Sequence, residues 1–178
     1  EHFVYNSLSA TEVGKLLGLS NEQKVDGISK FELSKKRMDI IKLDNGAIMI
    51  NDSYNASYES MKASLEFLKT HTGKRKIAVL GDMLELGEYS KKLHAKVGEE
   101  VSKRDIDILI CTGENSKYII KEAEKNEKIK IFFMNSNEQI VEKLSQELKD
   151  GDIVLVKASN GMKFYEICKK TIDFFAKS

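Results

Sequence analysis

The chain has 178 residues, and its 29 lysines and arginines nearly balance 28 aspartates and glutamates, for a formal net charge of +1. This balance argues against nucleic acid or a membrane surface as the main partner, because neither sign of charge dominates. No apolar run approaches 18 residues, so we expect no membrane insertion. Two cysteines in apolar surroundings favour buried thiols in a cytoplasmic protein, and three isolated histidines argue against a zinc site.

The first part of the chain reads as helix followed by a hairpin. Residues 3–17 carry apolar side chains at a mostly helical spacing that ends at Gly18. Residues 21–30 are polar and predict no more than one helical turn. Residues 38–43 and 47–50 are strand-like runs that flank the turn signal Asp44-Asn45-Gly46, so we expect an antiparallel hairpin at the edge of a sheet.

The stretch 51–61 connects the second hairpin strand to a helix. Met61, Leu65 and Leu68 have the spacing of a helix that packs on a sheet. Ser57 is the expected N-cap, and Glu59 in the first turn favours the positive end of the helix dipole. Open α/β sheets bind ligands where a strand's carboxyl end leads into a helix. A capped turn that binds nothing is an equally good interpretation of this spacing.

From residue 76 onward, short apolar runs alternate with amphipathic helices. The runs lie at 77–80, 108–111, 131–134 and 153–156. Unbroken apolar runs of this length indicate parallel strands covered on both faces. We therefore predict an α/β fold: a three-layer, Rossmann-like, mostly parallel sheet with helices on both faces and an antiparallel edge hairpin. The polar loops 52–55, 81–82, 112–114 and 157–161 should meet at one edge of this sheet, which makes that edge a candidate site.

Three motifs resemble the Mur ligases, and in particular those members that add D-alanyl-D-alanine in peptidoglycan synthesis. Residues 51–57 read N-D-S-Y-N-A-S, residues 78–87 read A-V-L-G-D-M-L-E-L-G, and residues 156–162 read V-K-A-S-N-G-M. The second run is the most specific match. His94 with Val97-Gly98, and His2 with Val4-Tyr5-Asn6, add shorter matches in the expected order.

The resemblance implies a domain organisation and a reaction. Residues 1–20 would be the terminal helix of a central ATPase domain, and residues 21–178 the carboxy-terminal Rossmann-like domain. The full-length enzyme would use ATP and Mg²⁺ to convert the carboxylate of a UDP-muramoyl-tripeptide to an acyl phosphate, which the amine of D-alanyl-D-alanine attacks. The chain contains no glycine-rich phosphate loop, so we expect ATP phosphates and Mg²⁺ to be held mainly by the central domain, and this chain alone to be inactive.

The resemblance also assigns residues to ATP. Asp52 matches an aspartate that contacts the ribose, and Asn6 an asparagine near the adenine. Arg37 matches an arginine that reaches the phosphates, although Lys36 stands where a glycine is usual. Tyr54 and Asn55 line the same loop. Without the match, Arg37 reads as a surface arginine before an edge strand.

A second set of residues is assigned to D-alanyl-D-alanine. Asp82 and Glu85 would lie near its amine, although they read equally well as solvated acids of a short buried turn. Lys157, Ser159 and the backbone around Gly161 would open the final helix and bind its carboxylate. His94 reads as a structural histidine. Tyr58, Ala158 and Asn160 depart from the family pattern, and the arginine missing at 160 leaves Lys157 or Lys163 to hold the carboxylate.

Other classes remain possible from the residues alone. Asp52, Thr112 and Lys157 each end a strand, in the order used by a phospho-receiver domain of two-component signalling. No paired acids follow a first strand, however, as Mg²⁺ binding there requires. A sister Mur ligase and a folylpolyglutamate synthase are enzyme alternatives that residues 81–87 disfavour. A module that binds a partner through its first helix is a third possibility.

Overall fold

The computed structural model describes residues 2–31 and 36–176, and it divides into two compact units, Glu1–Ser34 and Lys35–Ser178. The first unit contains helices α1 (His2–Leu16) and α2 (Asn21–Ser29). The prediction of a single turn for the second helix is wrong. Ser20 caps it, because its hydroxyl accepts from Gln23 N while the Gln23 side chain accepts from Ser20 N, which extends the helix to nine residues.

The second unit is built on one six-stranded sheet in the order β1-β2-β6-β3-β4-β5. The strands are β1 (Asp39–Lys42), β2 (Ile48–Asn51), β3 (Arg75–Leu80), β4 (Ile108–Cys111), β5 (Lys130–Phe133) and β6 (Asp152–Lys157). β1 pairs antiparallel with β2, and the remaining neighbours are parallel. The predicted edge hairpin and mostly parallel sheet are confirmed.

Helices cover both faces of the sheet. They are α3 (Tyr58–Thr70), α4 (Ser90–Ser102), α5 (Ser116–Ala123), α6 (Asn137–Glu147) and α7 (Phe164–Phe175). One core layer contains apolar residues of α3, α4 and α5, and the other contains those of α6 and α7. All six residues of β6 are buried, because this strand lies inside the sheet and is covered on both sides. This placement explains the apolar run at residues 153–156, the centre of the strand.

The chain reverses its direction of travel across the sheet at β6. The connections through α3, α4 and α5 run one way, and α6 returns the chain to insert β6 between β2 and β3. Helix α7, which follows β6, therefore lies on one face of the sheet, and α3 and α4, which follow β2 and β3, lie on the other. The carboxyl ends of β2, β6 and β3 therefore form a topological switch point, the place where open α/β sheets bind ligands.

Two further expectations concern thiols and membrane insertion. Cys111 and Cys168 are buried free thiols, as predicted. Burial raises the pKa of both, that of Cys168 to about 12. Within residues 2–31 and 36–176, no helix is long and apolar enough to cross a bilayer.

Candidate functional site

The loops after β2, β6 and β3 are joined to one another by backbone hydrogen bonds. Asp52 N donates to Val156 O at 3.0 Å, and Gly81 N donates to Lys157 O at 3.0 Å. Ser159 N donates to Asp82 O, also at 3.0 Å. The predicted meeting of these loops at one edge of the sheet is therefore present, and it coincides with the point where the strand order reverses.

Asp52 and Lys157 form an ion pair at the centre of this edge. Lys157 Nζ lies 2.6 Å from Asp52 Oδ2, and the side chains are only 2% and 11% exposed, respectively. The ammonium also donates to Asn55 O at 3.0 Å. The sequence places Asp52 with ATP and Lys157 with the dipeptide, whereas the structure joins them in one cluster. Contact between Lys157 and a dipeptide stays a prediction, and the geometry favours a role in holding Asp52.

The two carboxylate oxygens of Asp52 differ in how many donors they face. Oδ2 accepts from Lys157 and from Ser64 Oγ, which lies 2.6 Å away. Among the described residues, Oδ1 accepts from Met38 N alone, at 3.2 Å. Because each carboxylate oxygen offers about two acceptor positions, Oδ2 is saturated and Oδ1 retains one. A hydroxyl donor on a ligand would therefore bind at Oδ1.

The charge on Lys157 is stabilised mainly by Asp52. Burial lowers the pKa of the Lys157 ammonium, the carboxylate of Asp52 offsets part of that effect, and the positive charge of Arg37 lowers it further. Removal of either member of such a buried pair leaves an uncompensated charge. The pair therefore contributes to the stability of the fold as well as forming a candidate binding site.

Arg37 and Tyr54 form the exposed rim beside Asp52. The Arg37 guanidinium lies 4.0 Å from the centre of the Tyr54 ring, a cation–π geometry. Lys36 and Met38 on either side of Arg37 have positive φ angles of 82° and 50°, and Lys36 O accepts from Tyr54 N. This tight backbone turn leaves both Arg37 and Tyr54 exposed, so a phosphate and an aromatic base are the chemistries they could bind.

Asp82 is surrounded by backbone donors instead of a cation. Its carboxylate accepts from Ser116 N at 2.8 Å and from Asn115 N at 3.1 Å, so it caps the first turn of α5 from another loop. A Cβ atom on Gly113 would lie 2.4 Å from Asp82 Oδ1, so the turn closes tightly around the carboxylate. Contact between Asp82 and a ligand amine stays a prediction, and the geometry favours the structural interpretation.

His94 is a structural residue, as the sequence suggested. Its Nε2 accepts from Met83 N at 2.9 Å, and its Nδ1 donates to Ser90 O at 2.7 Å. This pattern requires a neutral ring with the proton on Nδ1. The 3.9 Å approach of Nε2 to Asp82 Oδ1 is therefore not an ion pair.

The remaining residues assigned to the dipeptide lie in the loops after β3 and β6. Ser159 Oγ accepts from Leu84 N at 2.9 Å, which fixes the loop after β3 against the loop after β6. Glu85 is exposed, with a φ of 64°. Gly161 is exposed within a one-turn 3₁₀ helix, Asn160–Met162, and α7 begins only at Phe164. Lys157 and Ser159 therefore precede that turn rather than the final helix.

The last residue assigned to ATP belongs to the first unit. Asn6 is exposed on α1, in the first unit. Among residues 2–31 and 36–176, no group of three His, Cys, Asp or Glu side chains could hold a metal ion. The described residues thus offer an acceptor that fits a ribose hydroxyl and a cation that fits a phosphate, and they offer no cluster that fits Mg²⁺.

Ser64 is the site residue that the sequence reasoning missed. It is buried on the face of α3 otherwise formed by Met61, Leu65 and Leu68. A serine inside an apolar helical stripe was the signal, because a buried hydroxyl needs a hydrogen-bond partner.

This fold and site define a class of protein: a doubly wound α/β domain with a candidate ligand site at its topological switch point. The comparison with protein families is more specific, because the model of the Mur ligase, glutamate ligase domain matches residues 36–160. The chain belongs to this family. Membership supports the ligase interpretation over the phospho-receiver alternative.

Relatives of known activity match nearly the whole chain. It is 34% identical over 97% of its length to the UDP-N-acetylmuramoyl-tripeptide--D-alanyl-D-alanine ligase of Bacillus subtilis, and 33% identical over 90% to that of Synechocystis. The chain spans 38% and 35% of those proteins. A crystal structure of MurF ligase from Thermotoga maritima in complex with ADP matches 93% of the chain and 36% of that protein, with 28% identity and a TM-score of 0.72.

Proposed function

We propose that this chain is the carboxy-terminal domain of an ATP-dependent ligase that joins D-alanyl-D-alanine to a UDP-muramoyl-tripeptide in peptidoglycan synthesis. The observation that carries the proposal is 34% identity, over 97% of the chain, to a ligase with that name. The substrates are small molecules, and we place the reaction in the cytoplasm, where ATP is available. Exposed apolar side chains on α1, such as Val4 and Leu16, support packing of the first unit against a preceding ATPase domain.

In the proposed reaction, the tripeptide carboxylate takes the γ-phosphoryl group of ATP. The amine of D-alanyl-D-alanine then attacks the acyl carbon, the amide bond forms and inorganic phosphate leaves. This chain would bind and orient the reactants. Asp52 Oδ1 would accept from a ribose hydroxyl, Arg37 would contact the phosphates, and Tyr54 and Asn55 would line the same loop. Mg²⁺ would neutralise phosphate charge from sites outside the residues described here.

The dipeptide would lie beside the loops after β3 and β6. Glu85 is exposed there, and its carboxylate suits an ammonium group. Ser159 and Gly161 border the same loop, but Lys157 and Asp82 are already engaged by protein partners. Lys163 is exposed two residues after Gly161 and carries the charge that a carboxylate needs. We therefore propose Glu85 and Lys163 as the charged contacts of the dipeptide.

The test is reconstitution with the full-length protein. Phosphate release and ligated product should require ATP, Mg²⁺, the UDP-muramoyl-tripeptide and D-alanyl-D-alanine together. Replacing the tripeptide and dipeptide with a UDP-muramoyl-dipeptide and a diamino acid tests the sister ligases, and a folate with glutamate tests the folylpolyglutamate synthases. Product from either substitute, with none from the proposed substrates, would contradict the proposal. The isolated 178-residue chain should show no turnover above a mock-purified control.

A further inference from the structure

The buried polar contacts of α3 point to a residue that acts on the nucleotide site without touching a ligand. Ser64 is 3% exposed and lies between apolar neighbours on the helix face that packs on the sheet. Its hydroxyl lies 2.6 Å from Asp52 Oδ2 and 2.7 Å from Ser60 O. A buried hydroxyl at this position costs stability unless it is hydrogen-bonded, so its partners decide its role.

The hydroxyl proton must lie toward Asp52. A serine has one O–H to donate, and two acceptors lie within reach. If the proton pointed to Ser60 O, the oxygens of Ser64 and Asp52 would face each other at 2.6 Å with no hydrogen between them. A charged carboxylate is also the stronger acceptor. Ser64 therefore donates to Asp52 Oδ2.

This donation completes a set of contacts that fixes the carboxylate plane. Ser64 and Lys157 occupy Oδ2 from two directions, and Met38 N holds Oδ1 from a third. The one acceptor position left among the described contacts lies on Oδ1. Rotation of the carboxylate would exchange the saturated oxygen for the open one, and Ser64 and Lys157 both oppose that rotation.

We infer that Ser64 and Lys157 are positioning residues that hold Asp52 so that Oδ1 alone accepts from one ribose hydroxyl of ATP. The inference rests on the proposed function, and it adds a single-oxygen geometry and two residues that no ligand touches. Lys157 also supplies the counter-charge that the buried carboxylate of Asp52 needs. Ser64 supplies direction only, so its removal should weaken ribose recognition while the ion pair remains.

The experiment compares ATP with 2′-deoxy-ATP and 3′-deoxy-ATP in the full-length protein. For the wild type, kcat/KM should fall by about 10- to 150-fold for one analogue, the one that lacks the hydroxyl bound by Asp52. In Ser64→Ala, kcat/KM for ATP should fall by about 3- to 10-fold, while kcat/KM for that analogue should stay close to its wild-type value. The preference for ATP over the analogue should shrink by the same factor.

Two further variants separate positioning from a general loss of structure. Ser64→Cys keeps the side-chain connectivity but replaces the hydroxyl with a larger and weaker donor, so the preference for ATP should lie between those of Ser64→Ala and the wild type. Ser60→Ala, on the same helix, removes the hydrogen bond from Ser57 N and should lower the melting temperature with an unchanged preference.

Each outcome decides the inference. An unchanged preference in Ser64→Ala, with ligation by the wild type intact, overturns the inference alone. Equal losses for ATP and both analogues overturn it too, because they indicate a structural effect. Absence of ligation by the wild type overturns the proposed function and the inference together. A shrinking preference in Ser64→Ala with a constant one in Ser60→Ala supports it.

Discussion

Two aspartates at the same edge of the sheet differ in what their carboxylates can still bind. Asp52 follows β2 and Asp82 follows β3, and both residues are less than one-tenth exposed. Asp52 has a side-chain cation, Lys157, and the contacts of the described residues leave an acceptor position on Oδ1. Asp82 has backbone donors from Asn115 and Ser116 on a turn that closes around it. Similar loop chemistry in the sequence thus produces a candidate ligand residue in one loop and a helix cap in the other.

The difference shows what identifies a ligand-binding aspartate in this fold. The number of hydrogen-bond acceptor positions left free on the carboxylate is more informative than the position of the residue after a strand. A carboxylate such as that of Asp82, whose oxygens are engaged by backbone N–H groups and by the Asn115 side-chain amide, stabilises the turn that presents it. A carboxylate held on one oxygen can accept from a ligand on the other. Mutations of Asp52 or its partners should therefore affect stability and nucleotide recognition differently from mutations of Asp82.

The largest effect is expected from breaking the buried ion pair. Lys157→Met leaves Asp52 buried without its cation, and the free energy of unfolding should fall by about 3–5 kcal/mol in denaturant titrations. The matched control is Lys74→Met, which removes an exposed ion pair with Asp150 and should change stability far less. Adding Asp52→Asn to Lys157→Met should recover part of the loss. Strict additivity of the two substitutions would mean that the pair is not coupled.

A smaller loss is expected when the other aspartate is removed. Asp82→Ala leaves two backbone N–H groups at the start of α5 without their acceptor, which should cost about 1–3 kcal/mol of unfolding free energy. The preference for ATP over its deoxy analogues should not change, because the substitution leaves Asp52 and its partners in place. Normal stability with a lost preference would exchange the roles that we give to the two aspartates.

The smallest effect is expected in the pH dependence of stability. Burial lowers the pKa of Lys157 below its usual 10.5, with Asp52 opposing part of the shift. Between the folded and unfolded pKa values, the unfolded chain binds more protons, so this lysine makes stability increase with pH. The stability difference between the wild type and Lys157→Met should therefore widen as the pH rises toward 10.5. A narrowing difference would mean that the folded pKa is raised.

The sequence predicted the sheet and most of its elements because the patterns were local. Unbroken apolar runs predicted the parallel strands, Asp44-Asn45-Gly46 predicted the hairpin, and Ser57 was the correct N-cap of α3. The length of α2 was missed because its stability comes from a capping box and not from an apolar stripe.

The sequence predicted which loops form the site, but not the contacts between their side chains. The meeting of Asp52 with Lys157 joins residues 105 positions apart, and no local pattern specifies that pairing. Ser64 was missed because its role depends on a neighbour across the helix–sheet interface. Asp82 was assigned to a ligand by resemblance, since its backbone partners in another loop carry no sequence signal.

The most direct test of the account is kcat/KM for ATP in the full-length Asp52→Asn variant. The assay temperature is one at which near-ultraviolet circular dichroism shows the variant folded. The melting temperature of the variant is measured alongside. Asparagine keeps the shape and loses the charge. Because a hydrogen bond to a charged group contributes roughly 1.5–3 kcal/mol, kcat/KM for ATP should fall by about 10- to 150-fold. A lowered melting temperature with unchanged kcat/KM for ATP would contradict the account and leave Asp52 a structural residue of its turn.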